Sequence, residues 1–113
     1  MWIAGEWTDA EDGSTSDVLN PATGEVIATT PKATIADVEK CVAASRAALN
    51  SKEWGAMDPA QRGRILQKMA AATYANAKSL AAIESSNNGK TFREALSEIR
   101  YGAWTLEYFA GLS

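Results

Sequence analysis

Histidine is absent from the chain, and cysteine occurs once, at Cys41. The first absence removes the commonest general base, the commonest metal ligand and every Ser-His or Cys-His catalytic pair. The second excludes an internal disulfide and a zinc knuckle, and it is the pattern of a reducing compartment, so a cytoplasmic location is expected. Proline is scarce, with three residues in 113, and no apolar run approaches the ~20 residues that cross a bilayer. Met1 is followed by no basic segment with an apolar core, so the sequence predicts a soluble chain with no targeting segment and no membrane partner. Eleven Lys and Arg stand against fourteen Asp and Glu, and the net charge of -3 has the wrong sign for tracking a phosphate backbone. Nucleic acid is therefore not an expected partner. At 12.0 kDa the chain holds at most one domain, too small for a two-domain enzyme with a cleft between its halves.

What is present divides at about residue 33. Before it the pattern is extended. Ala4-Gly5 sits between Met1–Ile3 and Glu6–Thr8 as a short hairpin signal, and Asp12-Gly13 precedes the alternating run Thr15–Leu19. Asn20-Pro21-Ala22-Thr23-Gly24 then supplies a tight reversal into Glu25–Thr30. From Thr34 the apolar period becomes helical. Thr34-Ile35-Ala36-Asp37 is a capping-box variant that opens a first helix ending near Asn50, with Ile35, Val38, Cys41, Val42, Ser45 and Leu49 on one stripe. Asp58-Pro59-Ala60-Gln61 opens a second, with Ile65, Leu66, Met69, Ala72 and Thr73 inward. Asn76 interrupts it, a third helix runs to a left-handed stop at Asn87-Asn88-Gly89, and Thr91-Phe92-Arg93-Glu94 opens a fourth that ends at Gly111. The expected architecture is an α+β fragment: two small N-terminal β-hairpins over residues 1–31, then four α-helices over 34–111, forming a single incomplete domain over 1–113.

Candidate chemistry is thin. Cys41 lies mid-helix on the apolar stripe, away from the helix N-terminus or cation that would lower a thiol pKa, and is expected to be buried and structural. No Gly-x-Ser-x-Gly elbow occurs, which leaves hydrolysis of small esters as a weak alternative activity. Gly89-Lys90-Thr91 has the end of a phosphate-binding loop but not its beginning, since Glu84 stands where the first glycine belongs and a helix precedes it in place of a strand. No Gly-x-Gly-x-x-Gly fingerprint is present. Glu94 and Glu98 share a helix face, a spacing that suits acid-base work and equally a solvated surface. The four tryptophans, Trp2, Trp7, Trp54 and Trp104, are residues of packing and interfaces. Trp104 with Tyr101, Tyr108 and Phe109 makes the fourth helix aromatic on more than one side, so it demands a cover that 113 residues can hardly supply.

Several runs, in order, resemble the opening of the aldehyde dehydrogenase superfamily. They are Ile3-Ala4-Gly5-Glu6-Trp7, the stretch Asp17 to Ala28 containing Asn20-Pro21-Ala22-Thr23-Gly24-Glu25, Arg62-Gly63-Arg64-Ile65-Leu66, Asn88-Gly89-Lys90 and Tyr108-Phe109-Ala110-Gly111. The resemblance covers essentially the whole chain. It implies a parent of α/β fold with a Rossmann-like cofactor domain, an oxidoreductase that converts aldehydes to carboxylic acids with NAD or NADP through a cysteine thiolate and a water-activating glutamate. Those residues and the cofactor strands belong to positions beyond the matched region. The resemblance therefore assigns no catalytic residue, no cofactor-binding residue and no cofactor to this chain, and implies that it is inactive alone. It does imply that Ser97, Tyr101 and Trp104 wall a substrate tunnel suited to an apolar or cationic aldehyde. It also implies a structural monovalent cation at the carbonyl of Val18 and the side chain of Asn87, weakened because Asn87 lacks a charge. The partner implied is the rest of a dehydrogenase chain or a homo-oligomer. The competing reading is a small helical binding or oligomerisation module whose apolar faces are covered by other copies.

Overall fold

Ala4 and Gly5 both hold positive φ, 53° and 87°. Two left-handed residues in succession make the tight turn whose twist matches that of antiparallel strands. In the computed structural model, which describes residues 1–113, β1 (Trp2–Ile3) accordingly folds back on β2 (Glu6–Trp7), pairing Trp2 with Trp7 and Ile3 with Glu6. The two indoles meet edge to face with ring centres 5.2 Å apart. A second antiparallel hairpin joins β3 (Thr15–Leu19) to β4 (Val26–Pro31), in register from Thr15 opposite Pro31 to Val18 opposite Ala28, with a bulge between Val18 and Leu19. Four helices follow: α1 (Ile35–Leu49), α2 (Pro59–Ala75), α3 (Ala77–Asn88) and α4 (Phe92–Ala110). The α+β architecture of two hairpins and four helices is the one read from the sequence. Its residues form two compact units, Met1–Leu19 with Glu25–Ala56, and Asn20–Gly24 with Met57–Ser113.

In the first unit the organising residue is Asp37, 3% exposed. Its Oδ2 accepts from the backbone N–H of Thr34 at 2.9 Å, from Thr34 Oγ1 at 2.9 Å and from the backbone N–H of Glu11 at 3.1 Å. The capping box that starts α1 therefore also ties down the loop after β2. The Thr34 and Glu11 backbone donors favour the ionised carboxylate and hold its pKa below the ordinary aspartate value. A depressed pKa stabilises the fold above the ordinary aspartate range, and that contribution is lost as pH falls through the lowered value. Thermal unfolding followed between about pH 5 and pH 2 should show a decline that Asp37→Asn flattens; an unchanged acid limb in the variant would contradict this role.

The second unit is built on small residues. Its buried apolar side chains are alanines: Ala70 on α2, Ala77 and Ala81 on α3, and Ala95, Ala103 and Ala110 on α4. Gly63 on α2 is also buried and lies against the backbone of Ala110. Close helix contact of this kind buries little area per residue, at about 0.8 kcal/mol per methylene-sized group, and leaves larger side chains at the seam's margins. The inward set on α2 therefore differs from the sequence expectation. Leu66, Ile65 and Thr73 are half-buried, but Met69 and Ala72 are exposed, because Gly63 and Ala70 occupy the line of contact. The chain starts and stops helices as expected. Asp58 Oδ1 accepts from Ala60 N–H at 2.9 Å with Pro59 in the first turn, and Gly89 closes α3 at φ 81°.

The stripe expected to bury α1 is bare. Ile35 is 81% exposed, and Val38, Val42 and Leu49 are also open. Within the first unit the β1–β2 hairpin and the Glu11 loop reach α1, and a groove of about 500 Å³ runs between Trp2, Ile3, Ala4 and Gly5 on one side and Cys41, Ala44, Ser45, Ala47 and Ala48 on the other. No helix is long and apolar enough to cross a membrane.

Candidate functional site

The fourth helix carries Ser97, Tyr101 and Trp104, to which the family resemblance assigns a substrate-tunnel role. It begins in a closed capping box: Glu94 N–H donates to Thr91 Oγ1 at 3.3 Å, while Glu94 Oε2 accepts from Thr91 Oγ1 at 2.9 Å and from Thr91 N–H at 3.3 Å. Its inner side presents Ala95, Ala103 and Ala110 to the other helices, with Ile99 and Leu106 half-buried beside them. Successive residues are rotated by about 100°, so Ser97, Tyr101, Trp104 and Tyr108 fall within an arc of about 60° on the opposite side. The structure brings the three expected tunnel residues onto this single exposed face. Tyr101 is 66%, Trp104 51% and Tyr108 55% exposed. Their rings form a ladder, with centres 5.5 Å apart from Tyr101 to Trp104 and 6.1 Å from Trp104 to Tyr108, and Phe109 meets Tyr108 edge to face at 5.4 Å. Spacings of this size are those of favourable aromatic pairs, so the ladder is a preformed apolar wall with electron-rich faces.

The loop that delivers α4 is pinned from several sides. Lys90 Nζ is held by the carboxylates of Glu98 and Glu84, its backbone N–H donates to Asn88 Oδ1 at 3.0 Å, and its carbonyl accepts from Ser85 Oγ at 2.7 Å. The hydrogen bond to Glu98, opposed by partial desolvation and helped by Glu84, raises the lysine pKa. This geometry explains the phosphate-loop resemblance at Gly89-Lys90-Thr91. The lysine is neutralised by two acids, and the Glu94 carboxylate already occupies the amino end of α4, where a phosphate would have to sit. This loop does not fit a nucleotide phosphate. Glu94 and Glu98 are thereby engaged as a helix cap and an ion-pair partner.

Cys41 departs from expectation. It is exposed, because the stripe of α1 that holds it is uncovered. It lies in the second turn of α1 beside the hairpin groove, whose lining residues include no cation. A thiol reagent should therefore modify Cys41 completely in the folded chain without denaturant, and protection until unfolding would contradict the exposed stripe. The remaining expected residues lie in different units. Val18 is half-buried in β3 opposite Ala28, and Asn87 is exposed in the last turn of α3. No cluster of three or more cysteine, aspartate or glutamate side chains is arranged to hold a metal ion.

Comparison with known proteins places this geometry in context. The sequence model of the aldehyde dehydrogenase family matches residues 7–113. Human mitochondrial 10-formyltetrahydrofolate dehydrogenase is 40% identical over 111 residues, covering 97% of the chain and 12% of the human protein. The cytosolic 10-formyltetrahydrofolate dehydrogenase of Xenopus tropicalis is 38% identical over 112 residues, with coverage of 98% and 12%. Among solved structures, an NAD-dependent aldehyde dehydrogenase from Sinorhizobium meliloti is 40% identical with a TM-score of 0.93, covering 98% of the chain and 22% of its own. A betaine aldehyde dehydrogenase from Staphylococcus aureus, solved in complex with NAD+, is 32% identical with a TM-score of 0.94, covering 98% and 23%. The chain thus spans about an eighth of the length of the curated relatives it matches.

Proposed function

The chain belongs to the aldehyde dehydrogenase family, and we propose that it forms the N-terminal segment of an NAD(P)-dependent enzyme that oxidises aldehydes to carboxylic acids. The two units then make one incomplete domain of that enzyme, and the rest of the dehydrogenase chain is its partner. The observation that carries the reading is the aromatic ladder on α4, set on a segment matched to the family almost from end to end.

The chemistry is divided accordingly. NAD or NADP, when bound to the whole enzyme, supplies the hydride acceptor. These 113 residues offer no fit to it, since their sheets are antiparallel hairpins and the one glycine-lysine loop is closed by carboxylates. What this segment contributes is substrate access. Ser97, Tyr101 and Trp104 wall the path of the aldehyde, excluding water along a surface that favours apolar chains and, through the ring faces, cationic ones. Lys90, Glu98 and the Thr91–Glu94 box fix the start of α4 and so the depth at which the wall stands.

A chimera tests this. Residues 1–113 replace the matched segment of the Sinorhizobium meliloti enzyme, and aldehyde-dependent formation of reduced cofactor is followed. Trp104→Ala should raise KM for a cationic aldehyde by about twofold to thirtyfold, the range of a cation-π contact, with kcat little changed. Equal KM values for cationic, apolar and small aldehydes in both forms would remove the tunnel role.

A further inference from the structure

Of the five asparagines in the chain only Asn88 precedes a glycine. The others precede Pro21, Ser51, Ala77 and Asn88, so the next backbone nitrogen either carries no hydrogen or is shielded by a side chain. Asn88 is exposed at the end of α3, and both of its reacting groups are held in place. Its Nδ2 donates to Glu84 Oε1 at 2.6 Å, its Oδ1 accepts from the Lys90 N–H at 3.0 Å, and the Gly89 N–H donates to the carbonyl of Ser85 at 2.9 Å. We propose that Asn88 is a site of spontaneous covalent modification, at which the Gly89 nitrogen attacks the Asn88 side chain whenever the last turn of α3 opens and converts it to aspartate and isoaspartate.

The chemistry needs only water and hydroxide. Hydroxide takes the proton of Gly89 N, the nitrogen bonds to Cγ of Asn88, and the Cγ–Nδ2 bond breaks to release ammonia, which takes its proton from water. Water then opens the cyclic imide. Cleavage at Cγ gives aspartate, and cleavage at the main-chain carbonyl gives isoaspartate; nothing is oxidised or reduced. In the closed turn the reaction is blocked at both ends, because the attacking N–H is engaged by Ser85 and the amide under attack is fixed by Glu84 and Lys90. A helix end opens more readily than packed interior, and the bare nitrogen of a glycine is then unhindered. Conversion also undoes the latch. An ionised aspartate has no donor for Glu84 and sets a second negative charge beside it, and an isoaspartate lengthens the main chain between α3 and its cap. The reaction belongs to the chain's own residues and holds whatever substrate the fourth helix faces.

The test holds the 113-residue chain at mildly alkaline pH with and without guanidinium chloride and reads conversion at each asparagine by peptide mass spectrometry and isoaspartate content. In denaturant Asn88 should convert ahead of the other four asparagines. In the folded chain it should convert at least about tenfold more slowly, because the fraction of time the turn is open sets the rate. Glu84→Ala, with helix content by circular dichroism equal to that of the unsubstituted chain, should raise the folded rate about twofold to tenfold, the worth of one hydrogen bond, and leave the denatured rate unchanged. Asn88→Gln, which would have to close a larger ring, should abolish conversion at this position in both conditions. No conversion in denaturant, another asparagine converting first, equal rates in the folded and denatured chains, or a folded rate untouched by Glu84→Ala would each overturn the proposal.

Discussion

Gly63→Ala is expected to destabilise the helical unit by up to about 2 kcal/mol, although alanine is the better helix former. Two effects oppose each other. Replacing a mid-helix glycine normally gains about 1 kcal/mol through backbone entropy. Here the added Cβ would stand 2.6 Å from the backbone oxygen of Ala110, a contact that only a shift of α2 against α4 relieves. Overpacking of this kind costs about 1–3 kcal/mol or more, and backbone, unlike the end of a flexible side chain, does not step aside. The clash wins. Gly102 supplies the internal control, because it lies in α4 with no atom beyond its chain neighbours and its own helix backbone within 4 Å of where its Cβ would be. Gly102→Ala should therefore stabilise by up to about 1 kcal/mol. Urea unfolding of the two variants should move in opposite directions, and two shifts of the same sign would refute the close approach.

Gly89→Ala should cost about 2 kcal/mol for two separable reasons. Gly89 caps α3 at φ 81°, where an L side chain pays about 1–2 kcal/mol. Its Cβ would also lie 2.8 Å from Cγ of Pro21, in the turn that Asn20 braces by accepting from Gly24 N–H at 2.7 Å and from Ala22 N–H at 2.9 Å. Shortening the second partner separates the terms. In a Pro21→Ala background the steric part of the Gly89→Ala penalty should disappear while the backbone part stays, so the cycle should show a coupling of the order of 0.5–1 kcal/mol. Zero coupling would mean that the turn and the cap do not touch.

These glycines mark where the sequence was legible and where it was not. Local signals were plain: Thr34 with Asp37, Asp58 before Pro59, Thr91 with Glu94 and Asn88 before Gly89 each satisfy a helix end within a few residues, and each does so in the structure. The two hairpins were equally local, set by Ala4-Gly5 and the Asn20–Gly24 reversal. Which side of a helix is covered is a long-range matter. The sequence places Ile65, Leu66, Met69, Ala72 and Thr73 on the inside of α2, whereas the contact line belongs to Gly63 and Ala70, whose smallness permits the approach, and Met69 and Ala72 stand exposed. Cys41 and its stripe read as core for the same reason, and they stand open. The aromatic face of α4 was legible as a surface in need of cover. Its ladder geometry, with ring centres 5.5 and 6.1 Å apart, emerges only once the helix is built.

The most direct measurement is cofactor reduction by three preparations given the same aldehyde and NAD: the 113-residue chain, its chimera with the remainder of the Sinorhizobium meliloti enzyme, and that chimera carrying Cys41→Ser. The segment account predicts no reduced cofactor from the chain, turnover by the chimera, and undiminished turnover after Cys41→Ser. Reduction of NAD by the chain alone, or loss of the chimera's activity with the Cys41 thiol, would contradict it.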